Sequence, residues 1–144
     1  MTFSPADDCE LASCSKDGTV KFWDVTSDFR LIASVQIGGK ATCCDYSPDG
    51  AVLAVSVFAT KGLTFVAAKS DHGVLTSVGT VSALCCGYSP TGRQVATGGS
   101  NSTVTIYEAP SGERAFNMTG HMGWVWCVQF TSDGAHLLSC SSDR

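Results

Sequence analysis

Four short groups of residues recur along this chain at a nearly fixed interval. They are Phe3-Ser4-Pro5-Ala6, Tyr46-Ser47-Pro48-Asp49, Tyr88-Ser89-Pro90-Thr91 and Phe130-Thr131-Ser132-Asp133, whose first residues lie 43, 42 and 42 positions apart. Each group is an aromatic residue, a small hydroxyl residue and then turn formers, and each precedes a similar apolar run: "ELASCS", "VLAVSV", "QVATGG" and "HLLSCS". After the first three come a further run ("TVKFWDV", "LTFVAA", "TVTIYEA") and then another ("LIASVQI", "VLTSVGT", "ERAFNMT"). The runs are short and enriched in β-branched and aromatic residues, with Pro, Gly, Asp, Asn and Ser between them, which is the pattern of strand, turn, strand with little room for helix. Four short strands per repeat of about 42 residues is the signature of radially repeated antiparallel sheets.

The residues "LASCSKDGTVKFWDV" (11–25), with their Trp23-Asp24 pair, resemble the end of a WD40 repeat. "GHMGWVWCVQFTSDGAHLLSCSSDR" (120–144), opening on Gly120-His121, resembles the first two-thirds of another. The middle units depart from the pattern: Tyr107-Glu108 and Val66-Ala67 stand where Trp-Asp is expected, and an extra residue falls around "FATKG". The resemblance implies an all-β propeller built from units at approximately 1–37, 38–80, 81–119 and 120–144. Counted in strands, these make about three and a half four-stranded blades, against roughly four to eight in a closed ring. The expectation is therefore an open arc, a fragment of a longer protein whose remaining sequence supplies the rest of the propeller.

The same resemblance assigns roles to side chains. A structural hydrogen-bond network is expected at Ser13, Asp17 and Trp23 in the first unit, at Thr97 in the third, and at His121, Ser139 and Asp143 in the fourth. A His, a Ser and an Asp in one unit also invite a nucleophilic triad, but no G-x-S-x-G elbow accompanies Ser139, so the network is preferred. Partner contact is expected at Lys16, Ser100, Met122, Trp124 and Ser142. Trp124 and Trp126 are expected to point to opposite sides, one packing between blades and the other lying at a rim, where Trp is a frequent anchor. The Trp-Asp-x-Arg signature of ubiquitin-ligase receptors is not met, because Thr26 follows Trp23-Asp24-Val25.

Eight cysteines would suit disulfides or a metal, but seven of them follow the repeat. Cys43, Cys85 and Cys127 lie four residues before Ser47, Ser89 and Thr131; Cys44 and Cys86 follow two of them; Cys14 and Cys140 match within "ASCS" and "LSCS". There is no C-x-x-C pair, and adjacent cysteines in a strand point to opposite faces. They read as small reduced core residues, with Cys9, outside the repeat, expected to be alkylated faster than the other seven. Reduced thiols suit a cytoplasmic or nuclear protein.

Other function classes find little support. The net charge is −4 with 9 basic residues spread along the chain, no electrostatic footprint for nucleic acid. The longest near-apolar run, residues 51–59, falls far short of the roughly 20 residues that span a bilayer. "IGGKAT" (37–42) lacks the spacing and the Ser or Thr of a phosphate loop. Asp7, Asp8 and Asp133 read as solvated turn residues, and the sequons at Asn101 and Asn117 as unused without a secretory signal. The WD40 resemblance implies a protein-interaction scaffold, expected not to be an enzyme and to take no cofactor or metal. The alternative is an accessory domain of a larger ligase, kinase or NACHT-type ATPase.

Overall fold

The computed structural model describes residues 1–6, 9–59, 62–69, 71–79 and 82–143. Asp7-Asp8, and Thr60-Lys61 of the irregular "FATKG" stretch, lie outside these residues. Among the described residues every regular element is a strand. The first sheet runs β1 (Thr2–Phe3), β2 (Glu10–Cys14), β3 (Thr19–Asp24), β4 (Arg30–Gln36). The second runs β5 (Lys40–Tyr46), β6 (Val52–Phe58), β7 (Gly62–Ala67), β8 (Val74–Val78). The third runs β9 (Ala83–Tyr88), β10 (Gln94–Gly99), β11 (Val104–Glu108), β12 (Arg114–Met118), and the fourth pairs β13 (Val125–Phe130) with β14 (Leu137–Ser141). Each sheet is an antiparallel meander in chain order. None closes on itself, so the expected all-β open arrangement is what forms.

The recurring hydroxyl-and-turn group has one physical cause. Ser47 Oγ accepts from Val52 N (3.0 Å) and donates to Asp49 Oδ1 (2.6 Å), which also accepts from Ala51 N (3.0 Å). Thr131 and Asp133 repeat this with His136 N (3.1 Å) and Ala135 N (2.9 Å). Ser89 accepts from Gln94 N (3.1 Å) and meets Thr91 Oγ1 at 3.2 Å. The side chains satisfy donors that the tight connection between inner and second strands would otherwise leave open. Gly50 closes its turn at φ +67°, where a Cβ would also come within 2.8 Å of Ala6 Cβ. Glycine is therefore required there both for conformation and for space.

The core lies between the sheets. Ala12, Val20 and Phe22 of the first sheet meet Cys44, Tyr46, Leu53, Val55, Val57 and Val66 of the second. Ala54, Leu63 and Phe65, on the other face of the second sheet, meet Cys86, Tyr88, Val95 and Tyr107 of the third. Cys85, Ala96, Val104 and Ile106 of the third meet Val125 and Val128 of the fourth. Strict alternation along β6 and β7 sends successive side chains to opposite neighbours, which is why every residue of β7 and all but the ends of β6 are buried. The outer strands β4, β8 and β12 remain largely exposed.

The cysteines divide differently from the sequence expectation. Cys44, Cys85 and Cys86 are buried and Cys14 and Cys43 half-buried, but Cys127 and Cys140 are exposed along with Cys9. Val125 and Val128 turn toward the third sheet. Cys127, adjacent to Val128, and Cys140, adjacent to the Ser139 that pairs with Val128, therefore project from the opposite face of the fourth sheet.

Candidate functional site

The polar residues assigned from the sequence fall into separate groups. In the first sheet Trp23 donates its indole N–H to Ser13 Oγ at 2.8 Å. Asp17 sits apart in the turn before β3, where its Oδ1 accepts from Thr19 N (2.9 Å) and Thr19 Oγ1 (2.6 Å). Those two bonds hold the Asp17 carboxyl below the usual carboxylate range. In the third sheet buried Thr97 donates to the Thr105 carbonyl directly across the ladder at 3.4 Å.

In the fourth, His121 Nδ1 lies 2.9 Å from Asp143 Oδ2 and its Nε2 lies 2.8 Å from Ser139 Oγ. Asp143 Oδ2 also accepts from Met122 N at 2.8 Å, and this bond leads the causes that depress the carboxyl, ahead of His121. The group is only partly covered, with His121 and Asp143 half-buried and Ser139 exposed. Distances alone fit an Asp-His-Ser relay. Yet Ser13, Thr97 and Ser139 stand at repeat-equivalent positions 84 and 42 residues apart, and each hydroxyl braces a neighbour in its own unit. Ser139 moreover lies inside extended β14 rather than on a sharp turn that would present its Oγ.

Of the residues assigned to partner contact, two come together. Lys16 and Trp124 line a cavity of about 280 Å³ with Lys40, Thr42, Phe58, Leu84 and Trp126. The two indoles lie with ring centroids 5.5 Å apart, tilted by 56°. This corrects the expectation that they face opposite sides: Trp124 precedes β13 and Trp126 lies at the register shift between Val125 and Cys127, so alternation along a regular strand does not separate them. Both are about half exposed, at 46% and 51%. Thr42 fixes one wall, its Oγ1 lying 3.1 Å from the Ala83 carbonyl on the neighbouring sheet and 2.9 Å from Ser56 Oγ. Among the described residues no carboxylate lines the cavity, whose wall combines two lysines with largely aromatic and aliphatic side chains.

Ser100, Met122 and Ser142 are not part of this cavity. Ser100 N bonds the Ser82 carbonyl (3.1 Å) and Ser142 N the Trp124 carbonyl (3.1 Å), while the Met122 side chain is 88% exposed. Lys40, Thr42, Phe58, Leu84 and Trp126 were not singled out from the sequence, although the spacing identifies them. Lys40 and Trp124 are 84 residues apart; Thr42, Leu84 and Trp126 are 42 apart; Lys16 and Phe58 are 42 apart. The cavity is thus built from three repeat positions brought together where the inner strands converge.

Comparison with known proteins agrees with this architecture. The family model described as "WD domain, G-beta repeat" matches residues 1–24, 70–108 and 112–144, which together cover more than half of the chain. The chain is similar to human Apoptotic protease-activating factor 1, 32% identical over 99% of this chain and 12% of that protein. It is 24% identical to WD repeat-containing protein 1 of Xenopus tropicalis, over 90% of this chain and 22% of that protein. It is also 24% identical to the Serine-threonine kinase receptor-associated protein of Gallus gallus, over 96% of this chain and 38% of that protein. The chain therefore spans only a small part of the length of these relatives. From the repeated sheets and the family match together, the chain belongs to the WD40 repeat family and is a WD40 protein-interaction scaffold region.

Proposed function

We propose that the cavity lined by Lys16, Lys40, Trp124 and Trp126 is where this scaffold region takes a protein segment, and that the segment carries an acidic side chain beside an aromatic or aliphatic one. The observation that carries this reading is the composition of the wall: two lysines, two tilted indoles, Phe58 and Leu84, with no carboxylate among the described residues. Indole faces favour apolar and aromatic contact, and lysines at the rim of an apolar surface attract carboxylates strongly enough to set register. The polar groups at Ser13–Trp23 and at Asp143–His121–Ser139 act as braces of the fold in this reading, and the chain is not an enzyme. Its setting is cytoplasmic or nuclear, in keeping with the buried thiols of Cys44, Cys85 and Cys86, which form no disulfide.

The relatives support a second statement, that the region serves as an accessory part of a larger signalling protein. It matches nearly all of this chain but only 12% of Apoptotic protease-activating factor 1. Titration of the full chain with short peptides that pair Glu with Phe or Leu tests the site, read by tryptophan emission. The same peptides with Gln in place of Glu are expected to bind at least tenfold more weakly. Equal affinity for both series would remove the charge argument.

A further inference from the structure

The second and third sheets enclose a groove at their outer edges, apart from the cavity at the inner strands. It holds about 260 Å³ between Val78 and Gly79, at the end of β8, and side chains carried by β11 and β12. Both sheets are covered on each face by a neighbour, so packing inside the structure sets the walls. Gly112, at φ +76°, lets the β11–β12 turn press against β8: a Cβ there would lie 2.5 Å from Val78 Cγ1.

Alternation along β11 decides what the groove contains. Val104 and Ile106 turn to the fourth sheet, so Thr105 and Tyr107 turn to the second. Across the ladder Thr105 pairs with Asn117 and Tyr107 with Arg114, which brings all four side chains to one wall, with Asn101 beside them. The equivalent wall of the second sheet, facing the first, pairs Thr64 with Ser77 and Val66 with Val74. There the two hydroxyls satisfy each other at 3.0 Å. The repeat thus closes the same boundary with valines and a hydroxyl pair, without a charge or an amide.

In the third sheet the polar groups stay open. Among the described residues, the side chains of Arg114, Asn117, Asn101, Thr105 and Tyr107 take no hydrogen-bond partner. Tyr107 is only 8% exposed. Burial raises its hydroxyl above the ordinary range and the Arg114 charge acts against that shift, so guanidinium and hydroxyl share one electrostatic neighbourhood. All five groups can donate, and among the described residues no carboxylate lines the groove. The planar fork of an arginine matches a carboxylate through two parallel bonds, and its single charge balances one carboxylate rather than a phosphate dianion.

We infer that this groove is a second docking site of the scaffold, which takes the carboxylate of an Asp or Glu side chain on a partner segment lying across β8 and β12. Arg114 holds both oxygens, the Asn101 and Asn117 amides donate beside it, and Val78 meets the methylene stem. The site does not rest on the lysine-and-tryptophan cavity.

The test titrates the isotope-labelled full chain with acetyl-Gly-Glu-Gly-amide and follows side-chain nuclear magnetic resonance signals. Those of Arg114, Asn101 and Asn117 should move, and the glutamine counterpart should leave them in place. Arg114→Gln should weaken binding at least about tenfold by removing the charged fork, with the fold intact because the side chain is exposed. Arg114→Lys, which keeps the charge without the fork, should fall between the two. Lys16→Glu with Lys40→Glu should leave these shifts unchanged, since neither lysine touches the groove. Unmoved signals, equal response to the glutamate and glutamine peptides, or shifts lost in the double lysine variant would overturn the inference. Tighter binding of the phosphoserine counterpart than of the glutamate peptide would overturn the carboxylate assignment.

Discussion

Trp23 on β3 reaches diagonally across the ladder to Ser13 on β2, its indole N–H 2.8 Å from the serine oxygen. Both are half-buried, so water does not fully replace either partner. Ser13→Ala leaves the indole donor unpaired and should cost about 1–2 kcal/mol in chemical denaturation. His121→Ala should likewise lower the melting temperature, and neither change should alter turnover of an activated ester. Loss of ester turnover in the His121 variant without loss of stability would favour the relay over the brace.

Phe65 fills the space between the second and third sheets with no exposed surface, whereas Phe116 on β12 is 53% exposed. Phe65→Ala should destabilise by about 3–5 kcal/mol through lost burial and the cavity left behind. Phe116→Ala should change stability by less than about 0.5 kcal/mol. Equal effects would contradict the packing of the sheets face to face.

The turn carboxylates and the interior one respond to pH with opposite sign. Asp49 and Asp133 are held below the usual range, first by the hydroxyls of Ser47 and Thr131 and then by the backbone amides of Ala51 and Ala135. Their contribution is present above the ordinary carboxylate pKa of about 4 and is lost as pH falls through their depressed folded values. Asp45 is pushed the other way by burial, although Tyr88 N donates to it at 2.8 Å. It weakens the fold progressively as pH rises from the ordinary pKa through its raised folded value. Melting curves across pH 3–7 should show Asp133→Ala closing on the parent chain under acid. Asp45→Asn should gain on the parent as pH rises over the same interval, and parallel curves would contradict both assignments.

The periodicity made the sheets legible because the last three units repeat the same turn chemistry: a hydroxyl, a carboxylate or second hydroxyl, and a glycine at positive φ. The cavity was less so. Lys16 and Trp124 stood out by type, but Phe58 and Leu84 are ordinary strand residues whose role comes from convergence of separate sheets. Trp126 was assigned away from Trp124 by strand alternation, which the register shift at the start of β13 interrupts. Cys127 and Cys140 looked like core residues because their equivalents are; their exposure depends on which faces of the fourth sheet are covered, which local pattern does not encode.

The central claim is that the lysine-and-tryptophan cavity recognises an acidic, apolar segment. It is tested most directly by reversing its charge in the full chain with Lys16→Glu and Lys40→Glu together, with circular dichroism confirming an unchanged fold. Affinity for the Glu-Phe peptide should fall at least tenfold, and the variant should bind the Lys-Phe counterpart better than the parent does. Unchanged affinity for the acidic peptide in a folded double variant would contradict the account.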